Sequence, residues 1–265
     1  MTLCSIASGS SGNCIYIGTK STHLLVDAGI SAKRIEEGLR SINVEPDSLA
    51  AILITHEHSD HVQGLSVFGR KHAVPVYATA GTLTQYLESG KCRPEPGEWL
   101  NEVEYGRCFT VGDIEVSPFA ISHDAVRPVS YTFRAGGHKI GMATDLGTYN
   151  ETTVESLRGS EILYLEANHD ENMLLVGSYP YQLKQRILGR KGHLSNDAAS
   201  GLIGRLLHEG LRVVVLGHLS KENNYPELAY ETVRQDLYRS WSFSAPVPEI
   251  LVASRDKPSK RFSLE

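Results

Sequence analysis

Ile52-Leu53-Ile54-Thr55-His56-Glu57-His58-Ser59-Asp60-His61 is the stretch on which the reading of this chain turns. It is an apolar strand that ends in a burst of imidazoles and carboxylates, and Val62-Gln63-Gly64-Leu65 after it opens a helix. Such groups cannot pack as a dry core, because each buried polar group without a partner costs roughly 1–3 kcal/mol. A hydrophilic loop that happens to be rich in histidine is the plain alternative, and the spacing argues against it. On the turn after a strand, residues i and i+2 point the same way. His56 and His58 can therefore reach one metal ion, and Asp60 and His61, on the first turn of the next helix, a second one beside it. Two metals about 3.5–4 Å apart form a site for in-line hydrolysis.

The chain has 265 residues, 41% hydrophobic and 22% charged. That allows a sizeable core, in one large domain or two small ones. A net charge of −5 argues against a protein that coats nucleic acid electrostatically, although a metal pair would add positive charge that this count omits. No apolar run approaches the ~18 residues of a membrane span. Met1-Thr-Leu-Cys-Ser has neither the charged start nor the apolar centre of a signal peptide. Cys4, Cys14, Cys92 and Cys108 are scattered without a CxxC pair and read as reduced packing residues. The expected compartment is the cytoplasm.

Taken in order, Leu3 to Ala7, Cys14 to Ile17 and His23 to Val26 read as strands. The Ser8-to-Asn13 loop between the first two is either a hairpin turn or a loop whose N–H groups face an anion. Asp27 either caps a helix from Ser31 to Leu39 or accepts a hydrogen bond from a metal-bound histidine. Helices are expected over Val62–Lys71 and Thr79–Leu87, a strand over Val74–Tyr77, and a surface loop over Gly90–Gly97. Strands follow at Cys108–Val111, Ile114–Ile121, Val129–Arg134 and Lys139–Ala143, then helix Glu151–Leu157 and strand Ile162–Glu166. The pattern continues with helix Tyr181–Lys191, an amphipathic helix capped by Ser195 or Asn196 and running through Leu207, and strand Arg212–Leu216. Helix Pro226–Tyr238 and strand Glu249–Ala253 close the chain.

Candidate functional residues recur at strand ends: Asp27, His56, His123, Asp145, Glu166 and His218. Layered α/β folds gather ligand sites there. Strands followed by helices in both halves predict two packed sheets with helices on the outer faces, an α/β sandwich with its site along one edge.

His56-x-His58-x-Asp60-His61, followed in order by His123, Asp145 and His218, resembles the metallo-β-lactamase superfamily over essentially the whole chain. Ser8-Gly-Ser-Ser-Gly-Asn13, Glu166-Ala-Asn-His-Asp170 and Gly192-His-Leu-Ser195 resemble its WalJ/YycJ-like branch, associated with cytoplasmic metal-dependent nucleases acting on DNA. The resemblance implies one four-layer αββα hydrolase domain over residues 1–265. It places His56, His58 and His123 on one metal, and Asp60, His61 and His218 on the other, with Asp145 bridging. It further implies a metal-bridging hydroxide that attacks phosphorus, with Asp60 and His193 as the catalytic residues. Imidazole and carboxylate donors without thiolate suit Zn, Mn or Fe. Asp60 and Asp145, where cysteine would point to antibiotic hydrolysis, favour phosphoesters over β-lactams. The expected activity is that of a phosphodiesterase, a DNA exonuclease. The alternatives are a hydrolase of a cyclic phosphodiester or a thioester, and a metal-bound regulatory scaffold without turnover.

His23, His72, His138 and His208 sit in ordinary strand or helix contexts and read as structural. His169 contacts substrate or a metal ligand, or else forms a turn with Asn168 and Asp170. His193 follows Gly192 at an exposed turn, and Ser195 opens a helix whose N-terminus favours phosphate. Lys184, Arg186, Arg190 and Lys191 are either a solvated face or a track for a nucleic-acid backbone.

Overall fold

The computed structural model describes residues 1–90 and 99–265. Strands β1 (Thr2–Ala7), β2 (Cys14–Gly18) and β3 (His23–Val26) form an antiparallel meander. Helix α1 (Ala32–Ser41) then crosses to β4 (Leu49–Leu53), which lies parallel to β3. The His-rich motif spans the turn after β4 and the short α2 (Ser59–Val62), followed by α3 (Leu65–His72), β5 (Val76–Ala78), α4 (Ala80–Glu88) and β6 (Leu100–Glu102).

The second half opens with β7 (Phe109–Val111), β8 (Ile114–Ala120), β9 (Val129–Ala135) and β10 (His138–Ala143). It continues through α5 (Glu151–Leu157), β11 (Ile162–Glu166), α6 (Glu171–Val176), α7 (Tyr181–Leu188) and α8 (Asn196–Leu206). Strand β12 (Val213–Gly217), α9 (Pro226–Ser240) and β13 (Glu249–Val252) follow, and β14 (Phe262–Ser263) returns to pair with β1. Two seven-stranded sheets result, ordered β14-β1-β2-β3-β4-β5-β6 and β13-β12-β11-β10-β9-β8-β7.

Alternation along the strands builds the layers. Leu3, Ile17, Leu24 and Leu53 of the first sheet meet Val116, Phe133, Met142 and Ile162 of the second in a core between the sheets. The residues between them, Cys4, Tyr16, Leu25 and Ile52, face outward onto Ile35 and Leu39 of α1 and Phe68 of α3. Leu163, Leu165, Val214 and Leu216 face outward on the other side, against Val154, Leu202 and Val233. Each fully buried aliphatic or aromatic side chain contributes about 1.5–3 kcal/mol. The architecture is the αββα sandwich.

Several expectations need correction. The helix expected over Val62–Lys71 is two helices, because Gly64 N–H donates to the Ala28 carbonyl at 2.8 Å and a Cβ on Gly64 would lie 2.0 Å from the Ile30 carbonyl oxygen. The cap of α1 is Ser31, whose side chain accepts from Arg34 N–H; Asp27 is used elsewhere. Helix α6 begins where Asn168–Asp170 suggested only a turn, with Asp170 accepting from Met173 N–H at 2.8 Å. Strands β6 and β14 have too few residues to show a period. Cys4 and Cys14 are buried free thiols, whereas Cys108 is exposed. Cys92 and residues 91–97 of the expected surface loop lie outside the described residues. Among the described residues no helix is long and apolar enough to cross a membrane.

Candidate metal centre

Strand β4 delivers the first donors. Beyond Leu53 the chain leaves the sheet at Thr55, whose N–H and hydroxyl donate to Asp27 Oδ1 at 2.9 and 3.1 Å. Asp27 lies at the end of neighbouring β3, and its Oδ2 is 2.7 Å from His61 Nδ1. This carboxylate fixes the ring of His61 and leaves Nε2 facing the centre, the arrangement that raises ligand basicity in metal sites. Asn13 joins from the β1–β2 hairpin, its Nδ2 3.1 Å from His61 Nε2. Within the hairpin Gly9 N–H donates to Asn13 Oδ1 and Gly12 N–H to the Gly9 carbonyl, while Asn13 N–H reaches out to the Asp60 carbonyl. The hairpin thus braces the His-rich turn.

The second sheet delivers the rest through its register. Strands β10, β11 and β12 are parallel, with Ala143 opposite Leu165 and Glu166 opposite Gly217. Asp145, Glu166 and His218 consequently emerge side by side at their C-terminal ends. Asp27, Asp145 and His218 take left-handed φ values of 62°, 58° and 55°, a conformation costing about 1–3 kcal/mol for a residue with a Cβ. The cost is met by bracing: His218 N–H donates to Ser8 Oγ at 2.8 Å, and its carbonyl accepts from Asn168 Nδ2 at 2.9 Å.

These elements bring the expected donors into one cleft. His56, His58 and His123 form one group; Asp60, His61 and His218 form another; His56, His61 and Asp145 connect them. Within each group the candidate ligand atoms lie within 4.8 Å of one another, and each group could hold a metal ion. Asp145 Oδ2 is 3.4 Å from His61 Nε2, and Asp60 Oδ2 is 3.6 Å from both His61 Nε2 and His218 Nε2. None of these contacts is a good hydrogen bond. His56 Nε2 and Asp145 Oδ2 are buried with no hydrogen-bond partner among the described residues. Orphaned buried acceptors aimed at a common point fit a cation, since leaving them unpaired is costly.

The electrostatics agree. Burial alone would push Asp60 up, yet His61 and His218 hold its carboxyl well below the ordinary range. Burial would likewise lower His61, yet Asp145, Asp27 and Asp60 raise it well above the ordinary histidine range. Burial and the neighbouring His61 push His56 down, so its ring is a neutral donor.

A further group, Asp145, Glu166, His193 and His218, is organised by hydrogen bonds. Glu166 Oε1 is 2.7 Å from His193 Nδ1 and 3.1 Å from His218 Nδ1, and Oε2 accepts from the N–H groups of Leu146 and Leu194 at 3.1 Å. His169 is buried beside this network: its carbonyl accepts from Asn196 N–H, its Nε2 has no hydrogen-bond partner among the described residues, and burial lowers its pKa to about 4. Ser195 caps α8 by accepting from Ala198 N–H, and its hydroxyl donates to Glu171 Oε1 at 3.0 Å. That leaves it turned away from the cleft.

Four histidines lie outside. His23 contacts the Tyr16 hydroxyl, His72 contacts Glu36, His138 contacts Glu161, and His208 contacts the Ser160 carbonyl. Asp124, whose place in the sequence suggested no role, lies 3.4 Å from His123 Nε2 and is gripped by Arg186 through an Nη2–Oδ1 contact of 3.1 Å. Its position directly after His123 was the available signal.

Residues 22–218 match the family model described as the beta-lactamase superfamily domain. The chain belongs to that superfamily. Among superfamily relatives, exodeoxyribonuclease WalJ of Streptococcus pneumoniae is 42% identical over 233 residues, 88% of this chain and 86% of the relative. Exodeoxyribonuclease YycJ of Bacillus anthracis is 38% identical over 232 residues, 88% of this chain and 87% of the relative. The crystal structure of the metallo-β-lactamase fold protein YhfI from Bacillus subtilis superposes with a TM-score of 0.71 at 14% identity, covering 98% of this chain and 99% of that one. The likeness to YhfI shows a shared fold.

Proposed function

We propose that this superfamily member is a single-domain, cytoplasmic phosphodiesterase that uses two divalent ions, Zn, Mn or Fe, to act as a DNA exonuclease. The observation that carries the reading is the pair of donor groups flanking Asp145, whose buried Oδ2 has no hydrogen-bond partner among the described residues. The names of the WalJ and YycJ relatives supply the substrate class. His56, His58 and His123 would hold one ion and Asp60, His61 and His218 the other, with Asp145 shared. Bound ions supply a nucleophile from water at neutral pH and offset charge on the phosphoryl oxygens.

The chain's own residues do the remainder. Asp27 fixes the tautomer of His61 through Nδ1. Glu166 does the same for His193, whose Nε2 has no protein partner among the described residues. That nitrogen is placed to give a hydrogen bond to a phosphoryl oxygen or a proton to the departing oxygen. His169 and Ser195 back this element from behind.

Purified protein with Mn, Zn or Mg should degrade end-labelled DNA from an end, with activity falling as salt rises. RNA and a cyclic phosphodiester serve as competing substrates. Turnover of the cyclic compound or a thioester without DNA cleavage would replace this reading by the small-molecule one. Full metal loading without any turnover would indicate a regulatory scaffold.

A further inference from the structure

The four basic residues before His193 do not share one environment. Lys184 Nζ donates to the Leu175 carbonyl at 2.7 Å, closing the α6–α7 connection. Arg186 is held by Asp124. Arg190 and Lys191 are exposed and, among the described residues, have neither an acid nor a carbonyl partner. Both line a cavity of about 360 Å³ whose other walls include Ser122, His123, Tyr149 and Asn150. Its floor is tied to the metal centre, since Ser122 Oγ donates to the Arg190 carbonyl at 2.8 Å and His123 Nδ1 lies 3.2 Å from the Gly192 carbonyl.

We infer that this cavity is a nucleoside-monophosphate subsite, in which Arg190 and Lys191 bind the phosphate and Tyr149 flanks the base of the terminal nucleotide. Two adjacent cations without a counter-charge repel one another, and a phosphate resolves that repulsion with charge-assisted hydrogen bonds. Asp124, the acid that follows His123, is already committed to Arg186. The volume lies within the range of pockets for single small ligands, which suits one nucleotide and not a run of strand. The inference rests on the nuclease reading for its biological meaning, but the cavity itself can be tested without DNA.

The experiment is calorimetric binding of thymidine 5′-monophosphate and thymidine 3′-monophosphate to the metal-loaded protein. One isomer should bind more tightly than inorganic phosphate. The Arg190→Glu/Lys191→Glu variant should lose about tenfold or more of that affinity, with metal content and melting temperature retained. Arg190→Gln/Lys191→Gln should lose less, and a charge-matched control at Lys33 and Arg239 should bind as the unaltered protein does. On DNA the Arg190/Lys191 variants should show a raised KM. The proposal is overturned if neither isomer binds, if inorganic phosphate binds as tightly, or if the Glu variant keeps its affinity. Nucleotide binding without DNA cleavage would defeat the nuclease reading and leave the cavity standing; DNA cleavage with unaltered nucleotide binding in the variant would do the reverse.

Discussion

Glu166 grips His193 through a 2.7 Å contact between Oε1 and Nδ1, and both groups sit at the inner end of the cleft. Their coupling makes the first prediction. Glu166→Gln should lower turnover on DNA by about 10²-fold, because the orientation and basicity of His193 are lost. In a His193→Ala background the same change should cost little more. Additive losses in the double variant would show that Glu166 acts independently of His193.

His193→Ala alone should reduce kcat by roughly 10²–10⁴-fold while both metals and the melting temperature are retained. The loss should shrink on substrates that release nitrophenolate, which departs without a proton. Loss of metal from this variant, or near-normal kcat on DNA, would remove His193 from the proton-donor role.

Metal content separates shared from unshared donors. Asp145→Ala should lower both occupancies, whereas His58→Ala should chiefly lower one. Elemental analysis that finds two ions per chain retained in Asp145→Ala would rule out a shared ligand.

A backbone contact makes the fourth test. A Cβ on Gly29 would lie 1.7 Å from the Asp60 carbonyl oxygen, and that carbonyl also accepts from Asn13 N–H at 2.8 Å. Gly29→Ala should therefore push the His-rich turn away from β3 and cost at least about 2 kcal/mol in urea unfolding. Metal affinity should fall in parallel. An unaffected variant would mean that the turn is freer than this packing implies.

Away from the cleft, hydrogen bonds from Lys71 at 2.7 Å and His72 at 3.2 Å hold Glu36 below the ordinary carboxylate range. A depressed folded pKa contributes stability above the unfolded value and loses it as pH falls through the folded value. The stability gap between the parent and Glu36→Gln should be up to about 1 kcal/mol at neutral pH and should close from about pH 4.3 downward. A gap that widens in acid would contradict this.

The sandwich was legible because its strands alternate so strictly: Leu3, Ile15 and Ile17 share one core and Cys4 and Tyr16 another. The polar residues at strand ends stood out for the same reason, since nothing apolar continues the period beyond Ile54 or Ala143. What stayed hidden depends on register or on distant partners. Glu166 meets His193 and His218 only because three parallel strands end level. The basic run looked uniform in sequence, yet Lys184 and Arg186 find partners on α6 and beside His123, and Arg190 and Lys191 do not. The short strands β6 and β14, of three and two residues, are imposed by the sheet they join.

The division of the donors between two sheets also has a consequence for synthesis. His56 to His61 leave the ribosome first, and His218 follows 218 − 61 = 157 positions later, roughly 8–30 s at translation rates of about 5–20 residues per second. During that interval His123 and Asp145 join His56, His58, Asp60 and His61, and Asp27, already made, is there to orient His61, but one donor group still lacks His218. The group of Asp60, His61 and His218 stays incomplete until β12 has paired with β11, so the two donor groups can select an ion together only from that point.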